Sequence, residues 1–211
     1  MTRRIVVVGT GTDVGKTYVA CHIVRSLQKQ GATVGLKPVE SGVETVAADA
    51  IALGDAGDRF VPPRYALPAP VSPHLAARLV GEHIDLDAIV SWVQRHEMRH
   101  TVVETAGGLM SPLAEGENNL TLAVKLAPDH VVLVACNGLG VLHDVASAVH
   151  LLRAHGLARP TVILCDPEAL DASSESNLRE LRLLDIVQQG CRITRNSTTA
   201  GQDICKAMDC S

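Results

Sequence analysis

A run of β-branched residues, Ile5-Val6-Val7-Val8, passes directly into Gly9-Thr10-Gly11-Thr12-Asp13-Val14-Gly15-Lys16-Thr17. Few segments restrict a chain so tightly. The strand must end where glycine permits a tight turn, and a helix must start near Lys16, because Val19, Ile23, Val24 and Leu27 then fall at helical spacing before Gly31 stops them. A strand, a glycine-rich loop and a helix N-terminus together make a seat for phosphate. Backbone N–H groups wrap the anion, Lys16 can reach the β and γ oxygens, and the Thr17 hydroxyl can ligate Mg²⁺. Five residues separate Gly9 from Gly15, one more than in the usual motif, and Thr10 stands where its first glycine would be. The segment implies a bound nucleoside triphosphate.

The rest of the chain repeats this alternation. Arg4–Val8, Ala32–Leu36, Thr101–Val103, His130–Ala135 and Thr161–Leu164 are short apolar runs, each followed by a turn and a helical pattern. Leu120, Val124 and Ala127 suggest a short helix stopped by Pro128, and Val141, Leu142, Val145, Val149 and Leu152 a longer one ending near Gly156. Aromatic residues are only 2% of the chain, so a core must be built from Val, Leu, Ile and Ala, which suits a sheet covered on both faces. The expected fold is α/β, a doubly wound, mostly parallel sheet with helices on both faces, of the P-loop NTPase type. No repeat or linker divides the sequence, so residues 1–211 read as one domain. Residues 55–73, rich in Pro, Gly and Asp, read as a long surface connection, and residues 190–211 as an atypical C-terminal tail with little apolar patterning.

Several function classes fall away. A net charge of −4 without a Lys/Arg run gives no footprint for nucleic acid. No segment has membrane-spanning length or the form of a signal peptide, so a cytoplasmic protein is expected. The six cysteines, Cys21, Cys136, Cys165, Cys191, Cys205 and Cys210, lack metal-ligand spacing and read as reduced thiols. His96 and His100 could share a helix face, and read as surface. Asn119-Leu120-Thr121 and Asn196-Ser197-Thr198 match glycosylation sequons that carry no meaning without secretion.

Open parallel sheets bind ligands at the carboxyl ends of their strands. Here those ends are the phosphate loop, Lys37-Pro38-Val39-Glu40-Ser41-Gly42, Glu104-Thr105-Ala106-Gly107-Gly108, Cys136-Asn137-Gly138 and Cys165-Asp166. Lys37 ends the second strand, and can face a γ-phosphate as a second cation. Glu104 closes an apolar run as a Walker B carboxylate does, and could hold Mg²⁺ directly or through water. Asp49 lies in a small, apolar helical stretch, where its meaning depends on context.

The phosphate loop, the Lys37–Gly42 and Glu104–Gly108 blocks and Asp49, with Ser72-Pro73-His74, Pro112-Leu113 and Leu139-Gly140, come in the order of the dethiobiotin synthetases at plausible spacing, and the chain resembles that family over about residues 3–166. The Lys-Pro-Val-x-Ser-Gly and Glu-x-Ala-Gly-Gly blocks are its most specific marks. The resemblance implies ATP-dependent ring closure. CO₂ adds to one amine of 7,8-diaminononanoate, the carbamate attacks the ATP γ-phosphate, and the second amine closes on the mixed anhydride. It implies Lys37, Lys16 and Thr12 as catalytic residues. It assigns the nucleotide to Thr12, Asp13, Val14, Gly15, Lys16, Thr17, Asp49, Glu104, Thr105, Ala106, Gly107, Cys165 and Asp166. Mg²⁺ falls to Thr17, Asp49 and Glu104, and the diamine to Thr12, Lys37 and Ser41. It also implies a homodimer in which Leu139 and Gly140 offer backbone N–H groups to the substrate's carboxylate tail.

The chain departs from the family pattern at three places. Cys165 replaces the asparagine whose amide reads the adenine edge, a bidentate contact that a thiol cannot make, so other nucleoside triphosphates are expected to be accepted. Thr105 stands where glycine is usual, and residues 190–211 match nothing in the family. The alternatives are a nucleotide-driven switch of the ParA/MinD kind, disfavoured by the lack of an early loop lysine and of a basic amphipathic tail, or a degenerate nucleotide-binding homologue. Amide-forming ligases of the same superfamily carry a glutaminase domain, for which 211 residues leave no room.

Overall fold

The computed structural model describes residues 2–194 and 197–209. The opening apolar run is β1 (Arg3–Gly9), and its alternation sets the layering: Val6 and Val8 enter one apolar core, Ile5 and Val7 the other. Past the loop, α1 (Lys16–Gln28) buries Val19, Ile23, Val24 and Leu27 against the second core. There follow β2 (Thr33–Leu36), β3 (Val39–Ser41), α2 (Ala48–Ala56), β4 (Tyr65–Leu67) and α3 (Pro73–Leu79). The carboxylate of Asp85 accepts hydrogen bonds from the N–H groups of Asp87 and Ala88 and so caps α4 (Leu86–His96). Next come β5 (His100–Glu104), β6 (Pro112–Ala114), β7 (Glu117–Asn118) and α5 (Asn119–Leu126). Asn118 caps α5, and Ala127 in the left-handed region ends it before Pro128. The chain closes with β8 (His130–Cys136), α6 (Val141–Ala154), β9 (Thr161–Cys165), α7 (Asn177–Leu183), β10 (Gly190–Ile193) and α8 (Ala200–Ala207).

Six strands form the main sheet in the order β10-β9-β8-β1-β5-β2, with every neighbouring pair parallel. Side chains of α1, α2 and α8 cover one face, and those of α3 to α7 the other. The doubly wound α/β arrangement is therefore as expected. Because β1 is interior, the phosphate loop leaves from the middle of the carboxyl edge. β5 lies between β1 and β2, so Glu104 stands between the loop and Lys37.

Four details differ from the sequence reading. Residues 190–193 are a sixth strand on β9, and α8 packs Ile204 beneath α1, so much of the supposed tail is folded. The strand escaped notice because Gly-Cys-Arg-Ile carries a single strongly apolar residue. Residues 55–73 are partly internal, with Val61, Tyr65 and Leu67 buried and β4 pairing with β3. His96 and His100 do not share a helix: His96 ends α4, while His100 opens β5 and is buried. Val124 is 38% exposed; Leu120 is buried as expected, joined by Leu122, Ala123 and Leu126. Asn196 of the second sequon and Cys210 lie outside the described residues. Asn119 of the first sequon is fully buried.

Candidate active site

The phosphate loop is fastened to the sheet on both sides. Thr10 N–H donates to Val134 O (3.0 Å), and Leu109 N–H donates to Gly9 O (2.7 Å). Asp13 and Gly15 both take left-handed backbone angles. Gly15 is required twice over, since its φ is +97° and a Cβ there would come within 2.9 Å of Cys165 Sγ. Lys16 opens α1 and is buried, its Nζ donating to Gly11 O at 2.7 Å. Burial, and after it the nearby Lys37 charge, lower its pKa from 10.5 to about 8.

Lys37, Glu104 and Asp49 form one ionic group, with Lys37 and Glu104 buried and Asp49 half-buried. Lys37 Nζ lies 2.5 Å from Glu104 Oε1 and 2.8 Å from Asp49 Oδ2. Thr17 Oγ1 donates to Glu104 Oε1 at 2.8 Å. Burial favours neutral Lys37, but the Glu104 and Asp49 charges outweigh it and hold the pKa above its ordinary value. Burial raises the Glu104 pKa, with the Asp49 charge adding and Lys37 and Thr17 opposing. For Asp49, burial works upward, but the Lys37 charge and hydrogen bonds from Lys37 and Thr17 prevail and lower it. Glu104 Oε2 is buried and meets no hydrogen-bond partner among the described residues.

These groups line a cleft of about 400 Å³ together with Thr12, Asp13, Gly15, Tyr18, Glu40, Ser41, Ala106 and Gly107. Thr12, Ser41, Lys37, Asp49, Glu104, Ala106 and Gly107, expected at the site from four separate segments, are brought together by the fold. Thr105 turns inward, its N–H and hydroxyl both donating to Val7 O, at 3.0 and 3.2 Å. The extra methyl and hydroxyl thus lie against β1 and leave the cleft clear.

Glu40 was missed. Its carboxylate is buried and accepts from Asp49 N–H (2.9 Å) and Ala50 N–H (3.1 Å), capping the start of α2 and fixing Asp49 beside Lys37. An acid in an otherwise buried strand was the available signal.

A second hollow, of about 540 Å³, lies across the loop and shares Asp13, Gly15 and Tyr18 with the first. Val14, Cys136, Cys165 and Asp166 also line it. Burial, then the neighbouring Cys191 and Cys136, push the Cys165 pKa up to about 12, so it stays a thiol. Asp166 is held from two sides, accepting from Asn137 Nδ2 (2.7 Å) and Arg192 Nε (2.7 Å). Arg192 comes from β10, so the segment expected to be an atypical tail helps build this wall. Leu139 and Gly140 lie apart, at the start of α6. Leu139 is 89% exposed, and its N–H already donates to Asp171 Oδ2 at 2.7 Å, with which a substrate carboxylate would compete.

Comparisons with known proteins agree on what this arrangement resembles. A family model described as an AAA domain matches residues 3–194. An ATP-dependent dethiobiotin synthetase BioD from a Caulobacter species is 42% identical over 180 residues, covering 79% of this chain and 76% of that protein. Another, from Anaeromyxobacter dehalogenans, is 40% identical over 170 residues, covering 77% and 76%. Among solved structures, a ParA family ATPase from Chlorobium tepidum aligns with 100% of this chain and 93% of its own, at TM-score 0.57 and 13% identity. That likeness is one of fold alone.

Proposed function

The chain belongs to the dethiobiotin synthetase family, and from that premise we propose how its residues divide the work of an ATP-dependent ring-closing ligase. The reaction carboxylates 7,8-diaminononanoate with CO₂ and closes the ring to dethiobiotin, with ATP converted to ADP and phosphate. A carbamate is a poor electrophile until phosphorylated, and its oxygen must approach a γ-phosphate that is also anionic. Two fixed cations at the meeting point lower that repulsion.

The observation that carries the assignment is the Lys37–Glu104–Asp49 ionic group beside Lys16, in a cleft that the phosphate loop enters. Lys37 has its pKa held up by the two acids, so it works as a permanent cation and not as a proton acceptor. Lys16 swings from Gly11 O to the β and γ oxygens when nucleotide enters. Thr12, Lys37 and Ser41 hold the diamine and its carbamate. Val14, Gly15, Ala106 and Gly107 line the nucleotide, with the base in the hollow beside Cys165 and Asp166.

The donor set suits Mg²⁺: Thr17, Asp49 and Glu104 offer only oxygens, and Glu104 Oε2 lacks a partner among the described residues. When bound there, Mg²⁺ would neutralise charge on the triphosphate. A homodimer, in which Leu139 and Gly140 of a second copy approach the substrate's carboxylate, completes the proposal. Sedimentation analysis at micromolar concentration should then find a dimer, and a persistent monomer would remove that part.

The test is mass spectrometry of reactions containing diaminononanoate, bicarbonate, Mg²⁺ and ATP, CTP, GTP or UTP. Dethiobiotin should form in the wild type and disappear in Lys37→Ala, which should still bind ADP. Wild-type turnover in Lys37→Ala would refute the role given to Lys37. Normal ATP binding by Lys16→Ala would refute the phosphate-loop assignment.

A further inference from the structure

Asn119 has no place among the residues assigned so far, yet it is fully buried beneath the loop that follows β5. Its Nδ2 donates to Ala106 O at 2.5 Å and to Gly108 O at 2.8 Å, so one side-chain amide grips the carbonyls on both sides of Gly107. Its Oδ1 is buried and meets no donor among the described residues. An apolar side chain would fill this position without that loss, so only the grip on the loop accounts for the amide. The surrounding chain is equally fixed. Leu109 N–H donates to Gly9 O, Gly108 N–H to Ser111 Oγ, and Leu120 N–H to Leu109 O.

The consequence lies on the opposite side of a peptide plane. No peptide bond in the described residues is cis, so the N–H of Gly107 points away from the Ala106 carbonyl that Asn119 holds. Gly107 has φ +77° and lines the cleft; a Cβ built on it would run into Ser111 Oγ at 2.8 Å, with Thr12 Oγ1 next at 3.8 Å. No acceptor among the described residues meets its N–H. We propose that Asn119 is a positioning residue that turns the 106–107 peptide so that the Gly107 N–H donates to the oxygens of the phosphoryl group in transfer. The inference rests on the ligase reading above. A preset backbone donor aimed at developing negative charge assists the transition state more than the bound ground state.

The test compares wild type, Asn119→Ala and Asn119→Leu. Dethiobiotin formation by the wild type checks the ligase reading itself, so a failure there is separate from a failure of Asn119. In the variants kcat should fall by about 100- to 1,000-fold, the range of a lost oxyanion donor, while KM for the diamine and Kd for ADP change less than about threefold. A kcat within threefold of wild type, or losses shared equally by kcat and ADP affinity, would overturn the proposal. If neither variant folds, the wild type decides. The Gly107 amide proton should move downfield in NMR when orthovanadate is added to the Mg²⁺–ADP complex, and an unmoved resonance would overturn the inference.

Discussion

Lys16 is buried at the cleft, where its charge depends on its surroundings. Burial and Lys37 leave its pKa at about 8 without nucleotide, and the triphosphate would raise it again. Above pH 8 the free protein therefore holds a neutral Lys16, and nucleotide binding must take up a proton. Calorimetry of ADP binding at pH 8.5 in buffers of different ionisation enthalpy should show that uptake, with affinity falling as pH rises from 8 to 9.5. Proton release would contradict it. For the fold alone the sign is also set. A lysine depressed in the native state binds its proton better when unfolded, so this group's contribution to stability grows as pH rises from about 8 towards 10.5. Lys37 behaves differently. Removing it leaves Glu104 and Asp49 facing each other, so Lys37→Ala should lose about 3–5 kcal/mol in urea titration as well as activity. Stability equal to wild type would mean that the acids do not need their cation. The sequence named both lysines from their motifs. It could not show that Lys37 spans two carboxylates, because Asp49 arrives from a helix that β5 does not touch in sequence.

Among the elements, α2 shows how a site is positioned by a residue outside it. No side chain at its own N-cap accepts a hydrogen bond; the cap comes from Glu40 on β3. Glu40→Ala should destabilise by about 0.5–2 kcal/mol in urea unfolding and lower affinity for the metal–nucleotide complex, because Asp49 loses its fixed start of helix. An unchanged Kd would detach Glu40 from the site. The strands were legible because their β-branched runs are buried on both faces, whereas β10 was not, since an edge strand tolerates Cys191 and Arg192. The same holds for β4, whose buried Tyr65 and Leu67 alternate with an exposed Ala66 inside a proline-rich stretch. Short partly exposed strands leave no run to read. Ile204→Ala in α8 should lose about 2–5 kcal/mol, with dethiobiotin formation retained in the surviving fold. A neutral result would return this helix to the status of a tail.

At the scale of the whole molecule, histidines link stability to acid. His22, His96, His100 and His130 all have pKa values below 6.5, in each case chiefly through burial. The unfolded chain binds these protons more readily, so their contribution is complete above pH 6.5 and drains away as pH falls below it. His100, with neither ring nitrogen hydrogen-bonded among the described residues, should dominate. His100→Leu should flatten the decline in melting temperature between pH 7 and 5, and an unaltered slope would assign the loss to other groups. Fold class and most of the cleft follow from local patterns, because a parallel sheet delivers all its strand ends to one edge; the order of the strands, with β5 between β1 and β2, does not. Which hydrogen bonds tie those ends together depends on contacts between residues about 30 to 100 positions apart, as with Asn137 and Asp166 or Thr17 and Glu104.

Gly15 lines both hollows, and the Cys165 sulfur of the second lies so close that a Cβ at position 15 would meet it at 2.9 Å. Phosphate grip and base seat are consequently not independent parts. Any atom added at position 165 presses on the backbone that wraps the phosphates, and any side chain at position 15 presses on the wall beside the base. With the base and phosphates seated as proposed, altering the choice of nucleotide would also retune how its phosphates are held.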